Sequence, residues 1–412
     1  MVMSRSWAFS AFLLLLLPAR AQDTLMTVPG VRFYAAHDHI LIAEASADYN
    51  ANSIRNELVA GLWKGGFIDR DLRERSRDAL RERNSVGYVL SARVSYIGPG
   101  TGKWRQLTSV SHQEHMGVRF PRDLYNLTFF GNANYEGRRA DLGPAAFTRT
   151  QYQTIGFGAQ RVDLGHYFRV DLVLGQSIDA VNLKWAGLYT GVDGRVLRAS
   201  VLGDHWRSDT ASSSFGQLNG LGLAVSGRWG MRISRHNQAR VDFEVQDLGF
   251  VGWGRKSLHL HKDTILEYTG LRVASILDLD NVLIGEDQLL DTFGLRYTQD
   301  PFTKPLPFLL RATLSAPLGV GWSGSVQVDQ RYLPGYIPQL TFGALRSLGA
   351  RGLAVAGGQL SMGGFGGIRL GASAQRRFGE RVVVMLSSPH LPGFLLGGTR
   401  GAGLAFSVTV GI

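Results

Sequence analysis

From residue 86 onward the chain alternates between apolar and polar positions. Across residues 220–234, Leu221, Leu223, Val225, Trp229, Met231 and Ile233 share one parity, and Ala224, Ser226, Arg228, Gly230, Arg232 and Ser234 take the other. Successive side chains of a β-strand point to opposite faces, so a period of two predicts a strand with one apolar and one polar side. After the polar stretch RHNQA the pattern resumes, with Val241, Phe243, Val245, Val251 and Trp253 set against Asp242, Glu244 and Gln246. The two runs read as a hairpin. A turn centred near Asn237 places Arg232 opposite Asp242, where facing opposite charges favour that register. Each strand is about as long as a tilted strand needs to cross a bilayer, roughly 9–11 residues.

The same alternation recurs along the chain. Residues 167–176 set Phe168, Val170, Leu172 and Leu174 against Arg169 and Asp171; residues 181–189 set Val181, Leu183, Trp185 and Tyr189 against Asn182 and Lys184. At the end, Leu404, Phe406, Val408, Val410 and Ile412 share one face. About fourteen such strands are expected, within the range of bacterial barrels. Three stretches break the pattern. Residues 52–84 have helical character divided by Gly65-Gly66, residues 120–148 are long and irregular, and residues 275–305 form a long insert with helical character around 277–290. The fold class predicted is all-β: a transmembrane antiparallel β-barrel in residues 22–412, with the 52–84 segment as a helical plug or cap. Such a barrel must pair its last strand with its first, because an open edge in lipid leaves backbone groups unsatisfied. The terminal Ile412 departs from the terminal aromatic usual in such proteins. A large soluble β-sandwich or β-solenoid would alternate too, but would turn its apolar face inward. Tyr88, Tyr96, Trp185, Tyr189, Trp229, Trp253 and Trp322 fall near strand ends, as an interfacial girdle would place them.

Composition narrows this further. Residues 1–21 carry Arg5, an apolar core from Ala8 to Pro18 and the small-x-small ending Ala19-Arg20-Ala21, the pattern of a cleaved secretory signal. This predicts export to the outer membrane of a Gram-negative cell. The chain has no cysteine, so it is expected to be held by burial and hydrogen bonding without disulfides. No run of eighteen apolar residues is present, which removes helical spans. Glycine is abundant, 52 in 412 residues against a usual share of about 7%, and much of it falls inside alternating stretches, as close strand contacts require. The net charge of +11 becomes +9 once Arg5 and Arg20 leave with the signal. For an exported chain that excess points to anionic lipid heads or an anion-lined lumen, and not to nucleic acid.

Three runs carry a resemblance: GNANYEGRRADLGPAAFTRTQYQTIGFG at 131–158, VQDLGFVGW at 245–253 and the early NSIRNELVAGLWKGGFIDRD. Together they resemble a family of uncharacterised outer-membrane barrels common in Bacteroidota. That family is similar in architecture to fatty-acid transporter-like barrels and to PorV-like components of type IX secretion. The resemblance implies location and fold; it supplies no catalytic or ligand residue.

Candidate chemistry is sparse. His37 and His39, and His259 and His261, stand two apart on one strand face, a spacing open to a metal, but no third ligand is indicated. No metal and no cofactor are therefore expected. Ser and His are plentiful, yet no G-x-S-x-G elbow appears, so no enzyme is expected. Residues 398–403, GTRGAG, lack the spacing and the following helix of a phosphate loop and read as a turn. The side chains of interest are the charges expected to face inward: Arg93, Arg169, Asp171, Lys184, Arg228, Arg232, Asp242, Glu244, Arg311 and Arg369. Either they line a pore favouring anionic or amphipathic solutes, or they fill a closed interior and tie its walls together. The function expected is binding or passage, for a hydrophobic or amphipathic small molecule, in contact with outer-membrane lipid. The alternative is a non-transporting scaffold that docks a periplasmic or surface protein.

Overall fold

The computed structural model describes residues 33, 36–64, 68–192, 196–209, 215–233, 238–268, 296–349 and 353–412. The expected signal segment and the helical character at 277–290 lie outside them. Strand β1 (Ile40–Ala51) leads into helices α1 (Asn56–Lys64) and α2 (Arg70–Asp78). Strands β2 (Arg83–Ile97) and β3 (Trp104–Pro121) follow, then helix α3 (Arg122–Phe130), the short β4 (Arg139–Asp141), β5 (Ala145–Arg161) and the long β6 (His166–Thr190). Beyond these come β7 (Leu197–Arg207), β8 (Gly220–Arg232), β9 (Arg240–Trp253), β10 (Leu258–Tyr268), β11 (Thr298–Gln299) and β12 (Phe302–Pro305). The last part runs β13 (Leu309–Gly319), β14 (Trp322–Arg331), β15 (Ile337–Leu348), β16 (Ala354–Gly364), β17 (Gly366–Phe378), β18 (Val382–Ser388), helix α4 (Pro392–Leu395) and β19 (Gly401–Gly411).

Strand β1 pairs antiparallel with β2 along one edge and with β19 along the other, Ile40 facing both Ile97 and Gly411. The ring of strands therefore closes on itself, and fourteen strands form a closed antiparallel barrel. The remaining strands stand outside that ring. The first half of β6 pairs with β8, from Tyr167 opposite Arg228 to Gly175 opposite Gly220. Its second half pairs with β7, and β7 with β10, so a second sheet rises from the barrel wall. What the sequence suggests as two strands, 167–176 and 181–189, is thus one strand with a change of neighbour. Trp185 and Tyr189 belong to this rising sheet and take no part in a barrel girdle.

The alternation resolves into an outside and an inside. Leu172, Leu223, Phe243, Phe157, Ile368 and Leu370 are all exposed on the outer wall. Their inward neighbours Arg169, Asp171, Thr154, Ser226, Asp242 and Arg369 are buried. A soluble sandwich would show the reverse, since water accepts the polar face and a core the apolar one. Trp104, Trp229 and Trp322 stand exposed on the outer wall near the strand ends where the β2–β3, β8–β9 and β13–β14 hairpin ends and the terminus gather. At the opposite height on the outer wall the apolar band stops at Glu114, which accepts hydrogen bonds from Tyr88, Arg149 and Gln151.

The connections differ at the two ends. One end carries only short turns, such as 162–165, 320–321 and 379–381, and lies beside the start of β1 and the end of β19. The other carries 52–82, 122–144, 191–219 and 254–308. The 52–84 segment belongs to this long-loop end, between β1 and β2. There Leu58, Leu80, Phe120 and Tyr125 bury one another and draw α1, α2 and α3 together.

Two details of the β8–β9 hairpin depart from the period-two reading. Arg232 faces Arg240, and Asp242 faces Gly230, so the register is two residues away from the Arg232–Asp242 pairing. Beyond the Arg232–Arg240 pair, Ile233 N–H donates to Ala239 O. In addition, a β-bulge opposite Val225 and Gly227 holds Asp247 at φ 54°. One extra residue reverses every later side chain. Leu248 and Phe250 therefore face outward, while Val251 and Trp253 turn into the interior and are almost wholly buried.

Candidate functional site: the barrel interior

The interior is built from the inward positions of each strand, and the charges expected there largely meet one another. On β6, Arg169 and Asp171 are two apart and so share the inner face; Arg169 Nε lies 2.7 Å from Asp171 Oδ1. Ser226 from β8 donates its hydroxyl to Asp171 Oδ2 at 3.1 Å and accepts Asp247 N–H at 3.1 Å. Asp247 in turn lies 3.6 Å from Arg93 Nη2 and accepts the Tyr152 hydroxyl at 3.1 Å. Nearer the short-turn end Asp242 holds Arg240 at 2.6 Å and Arg228 at 3.4 Å. Arg311 bridges Asp329 at 2.8 Å and Glu244 at 3.6 Å, and Glu244 also accepts the Tyr167 hydroxyl at 3.1 Å. Arg369 grips both oxygens of Asp48 at 3.0 Å and donates to Gln339 at 2.6 Å. Pairs of opposite sign removed from water are sustained only by such mutual contacts and added hydrogen bonds.

Glycine makes the room. A side chain at Gly156 would meet Asp171 and Arg169, and one at Gly230 would meet Asp242 and Arg240. At these two inward positions the guanidinium and carboxylate lie over bare backbone.

Of the ten charges expected inside, Arg169 meets Asp171, Arg228 meets Asp242, and Glu244 meets Arg311. Arg93 and Arg369 pair with Asp247 and Asp48, which the sequence reading passes over. Arg232 stands exposed at the last position of β8. Lys184 is a correction: it is exposed at a register shift of the β6–β7 pairing, on the sheet that rises beyond the barrel, and it lines no lumen. Asp48 and Asp329 sit at ordinary inward positions of alternating strands and were open to the same parity argument. Asp247 was hidden, because the bulge that turns it inward leaves no periodic signature.

The two sides of the interior differ. Inward residues on β3 to β9, among them Ser111, His115, Tyr152, Thr154, Asp171 and Asp247, are fully buried. Inward residues at matching depth on β14 to β18, among them Ser325, Gln327, Gly343, Gln359, Ser373 and Ser387, are small or neutral and only half-buried. Since they face inward, the space they open to is the lumen. Toward the long-loop end this wet side closes over buried Asp329, Thr341, Ser361 and Arg369. At the short-turn end Phe33 packs with Ile97, Leu107 and Val162 from one flank and with Val383 of β18 from the other.

The histidine pairs have other partners. His259 and His261 both bond Asp204 Oδ1, at 3.2 and 2.8 Å, on the rising sheet, and His39 bonds the Tyr96 hydroxyl at 2.6 Å. Among the described residues no group of three His, Cys, Asp or Glu side chains is placed to hold a metal ion.

A closed fourteen-strand barrel with an apolar outer band and a polar interior defines the class: a transmembrane β-barrel protein. No protein-family model matches the chain, and no curated protein matches it in sequence. Solved structures with a similar chain course include the toluene transporter TodX of Pseudomonas putida, at 9% identity and TM-score 0.41 over 95% of this chain and 94% of that one. Another is the translocator domain of the autotransporter NalP from Neisseria meningitidis, at 10% identity and TM-score 0.31 over 90% and 88%. A mutant porin of Rh. blastica follows at 8% identity and TM-score 0.27 over 90% and 99%. No residue role is carried over from them.

Proposed function

We propose that this chain is an outer-membrane barrel that passes small solutes through a lumen held shut in the present conformation. The observation that supports the reading is the lopsided interior. Ion pairs fill the β3 to β9 side, while Ser325, Gln327, Gln359 and Ser373 on the other side stay half-buried around open space. Short turns conventionally face the periplasm and long loops the outside. On that convention the wet side opens toward the periplasm, and Asp48, Arg369, Arg311 and Asp329 form its outward gate. Helices α1 and α2 then cap the outer mouth. A lumen wall of hydroxyls and amides suits polar or amphipathic solutes better than hydrocarbons. For hydrophobic ones a groove of about 320 Å³ on the barrel wall, lined by Ala43, Ala45, Val94, Val110, Phe215 and Phe406, offers apolar contact instead. Kinship with the Bacteroidota family rests on the three sequence runs alone.

The scaffold reading draws on a different feature, the sheet of β6, β7 and β10 that rises from the barrel wall, in which β10 pairs along its length with β7 and, among the described residues, meets a second strand only at Leu258 and His259. Conductance in planar bilayers separates the two. Passage requires single-channel steps in the wild type or in gate variants; silence in both favours the scaffold.

A further inference from the structure

The long-loop end holds a second cavity that the lumen does not use. It has a volume of about 420 Å³ and is lined by Arg77, Arg122, Asp123, Asn126, Asn134, Tyr135 and Arg138. Its three guanidinium groups come from three separate pieces of chain: Arg77 from the last turn of α2, Arg122 from the start of α3, and Arg138 from the loop before β4. They are held in place by backbone. Arg122 donates to Arg77 O and Arg138 to Asn134 O. Arg77 stacks over the Phe130 ring at 5.0 Å. Among the described residues no carboxylate lies within ion-pair distance of Arg122 or Arg138, and Arg77 meets only Asp78, at 3.5 Å. The single acid in the lining is already engaged, because Asp123 accepts the Tyr135 hydroxyl at 2.9 Å and the Asp141 N–H at 3.0 Å. Burial raises the Tyr135 hydroxyl above its ordinary value, so it stays protonated and keeps donating.

Three converging arginines outnumber the one acid, whose two oxygens are already taken by neutral donors, so the cleft favours an anion, and guanidinium forks match phosphate oxygens two at a time. A second observation narrows the ligand. Asn126 Oδ1 is buried in the same lining and accepts no hydrogen bond. A buried acceptor without a donor is costly, and a ligand hydroxyl would relieve that cost. We propose that this cleft binds a phosphorylated sugar, with the phosphate on Arg77, Arg122 and Arg138 and a ring hydroxyl donating to Asn126. The same chemistry is offered by a soluble sugar phosphate and by the phosphorylated sugar head of an outer-leaflet glycolipid.

The test is titration calorimetry on the full chain in nanodiscs, with glucose 1-phosphate, inorganic phosphate and glucose as probes. Glucose 1-phosphate is expected to bind at least tenfold more tightly than inorganic phosphate, and glucose not at all. Arg122→Gln and Arg138→Gln should each weaken binding at least tenfold, with Arg122→Lys and Arg138→Lys in between, since charge survives and the fork does not. Asn126→Leu should erase the preference for the sugar phosphate while leaving phosphate binding. Nanodiscs that contain a phosphorylated glucosamine glycolipid distinguish the sources: competition with glucose 1-phosphate assigns the site to the lipid head, and unchanged titration assigns it to the soluble sugar. Absence of saturable binding to either phosphate probe, or equal binding by wild type and both Gln variants in a folded barrel, overturns the proposal.

Discussion

Arg369 Nη1 lies 3.0 Å from both carboxylate oxygens of Asp48, joining β17 to β1 over the two strands between them. With Gln339 of β15 on its other nitrogen, Arg369 spans the wet side of the lumen at its long-loop end. If this contact is the gate, Asp48→Asn and Arg369→Gln should each raise bilayer conductance several-fold. Arg369 is only 4% exposed although Asp48 is 35%, so Asp48→Asn, which leaves that guanidinium without its carboxylate, should cost about 3–5 kcal/mol of stability, and Arg369→Gln, which frees a partly exposed carboxylate, about 1–2 kcal/mol. The swap Asp48→Arg with Arg369→Asp should restore the closed state. Conductance identical to the wild type in both single variants would remove the gate.

The outward face of β6 gives a direct check on what surrounds the barrel. Leu172 is 42% exposed there, between Val170 and Leu174. Arginine at the middle of a lipid-facing wall costs about 2–4 kcal/mol. Leu172→Arg should lower folding stability in vesicles by that amount. Ser325→Arg, which points into the wet lumen, should cost less than about 1 kcal/mol. Equal costs would mean that lipid is not the medium outside.

Gly156 lies under the Arg169–Asp171 pair, where a methyl group would collide with both side chains. Alanine there must displace a buried ion pair, so Gly156→Ala should destabilise by about 1–3 kcal/mol, the range of overpacking in tight interiors. Gly358, on the outer wall, has only Gly371 O within reach at 3.6 Å. Gly358→Ala should be close to neutral. Heat-dependent mobility of the folded band on gels would rank the two, and equal midpoints would contradict the claim that inward glycines make space for charge.

Much of this is legible in the amino-acid sequence. Where a strand runs without interruption, parity alone puts Arg169, Asp171, Arg311 and Arg369 inside and Leu172, Leu310 and Leu370 outside, because the strand repeat is fixed by backbone geometry. Parity fails where the chain adds a residue. The bulge at Asp247 leaves the composition of β9 unchanged, so nothing in the sequence announces that Trp253 has crossed to the other face. Lys184 escapes parity for a related reason: alternation is equally good in the rising sheet, and which neighbour a strand chooses is a long-range matter. Pairing partners such as Arg369 with Asp48, 321 residues apart, are likewise set by closure of the ring and not by any local signal.

The bulge can be tested by asking two tryptophans what they touch. Trp229 precedes it and is 55% exposed on the outer wall; Trp253 follows it and is 2% exposed among Val251, Tyr152 and Leu306 inside. An unbroken period of two would put both rings in lipid. Of the eight tryptophans, variants that keep only Trp229 or only Trp253 should be reconstituted with lipids brominated along the acyl chain. Bromine quenches indole only at close range, so the Trp229 variant should lose half or more of its emission and the Trp253 variant little. The Trp253 emission should also lie further to the blue than that of a ring at the interface, since its surroundings are packed side chains. Comparable quenching of the two would return Trp253 to the outer wall and remove the bulge, and with it the inward placement of Asp247 on which the Arg93 contact depends.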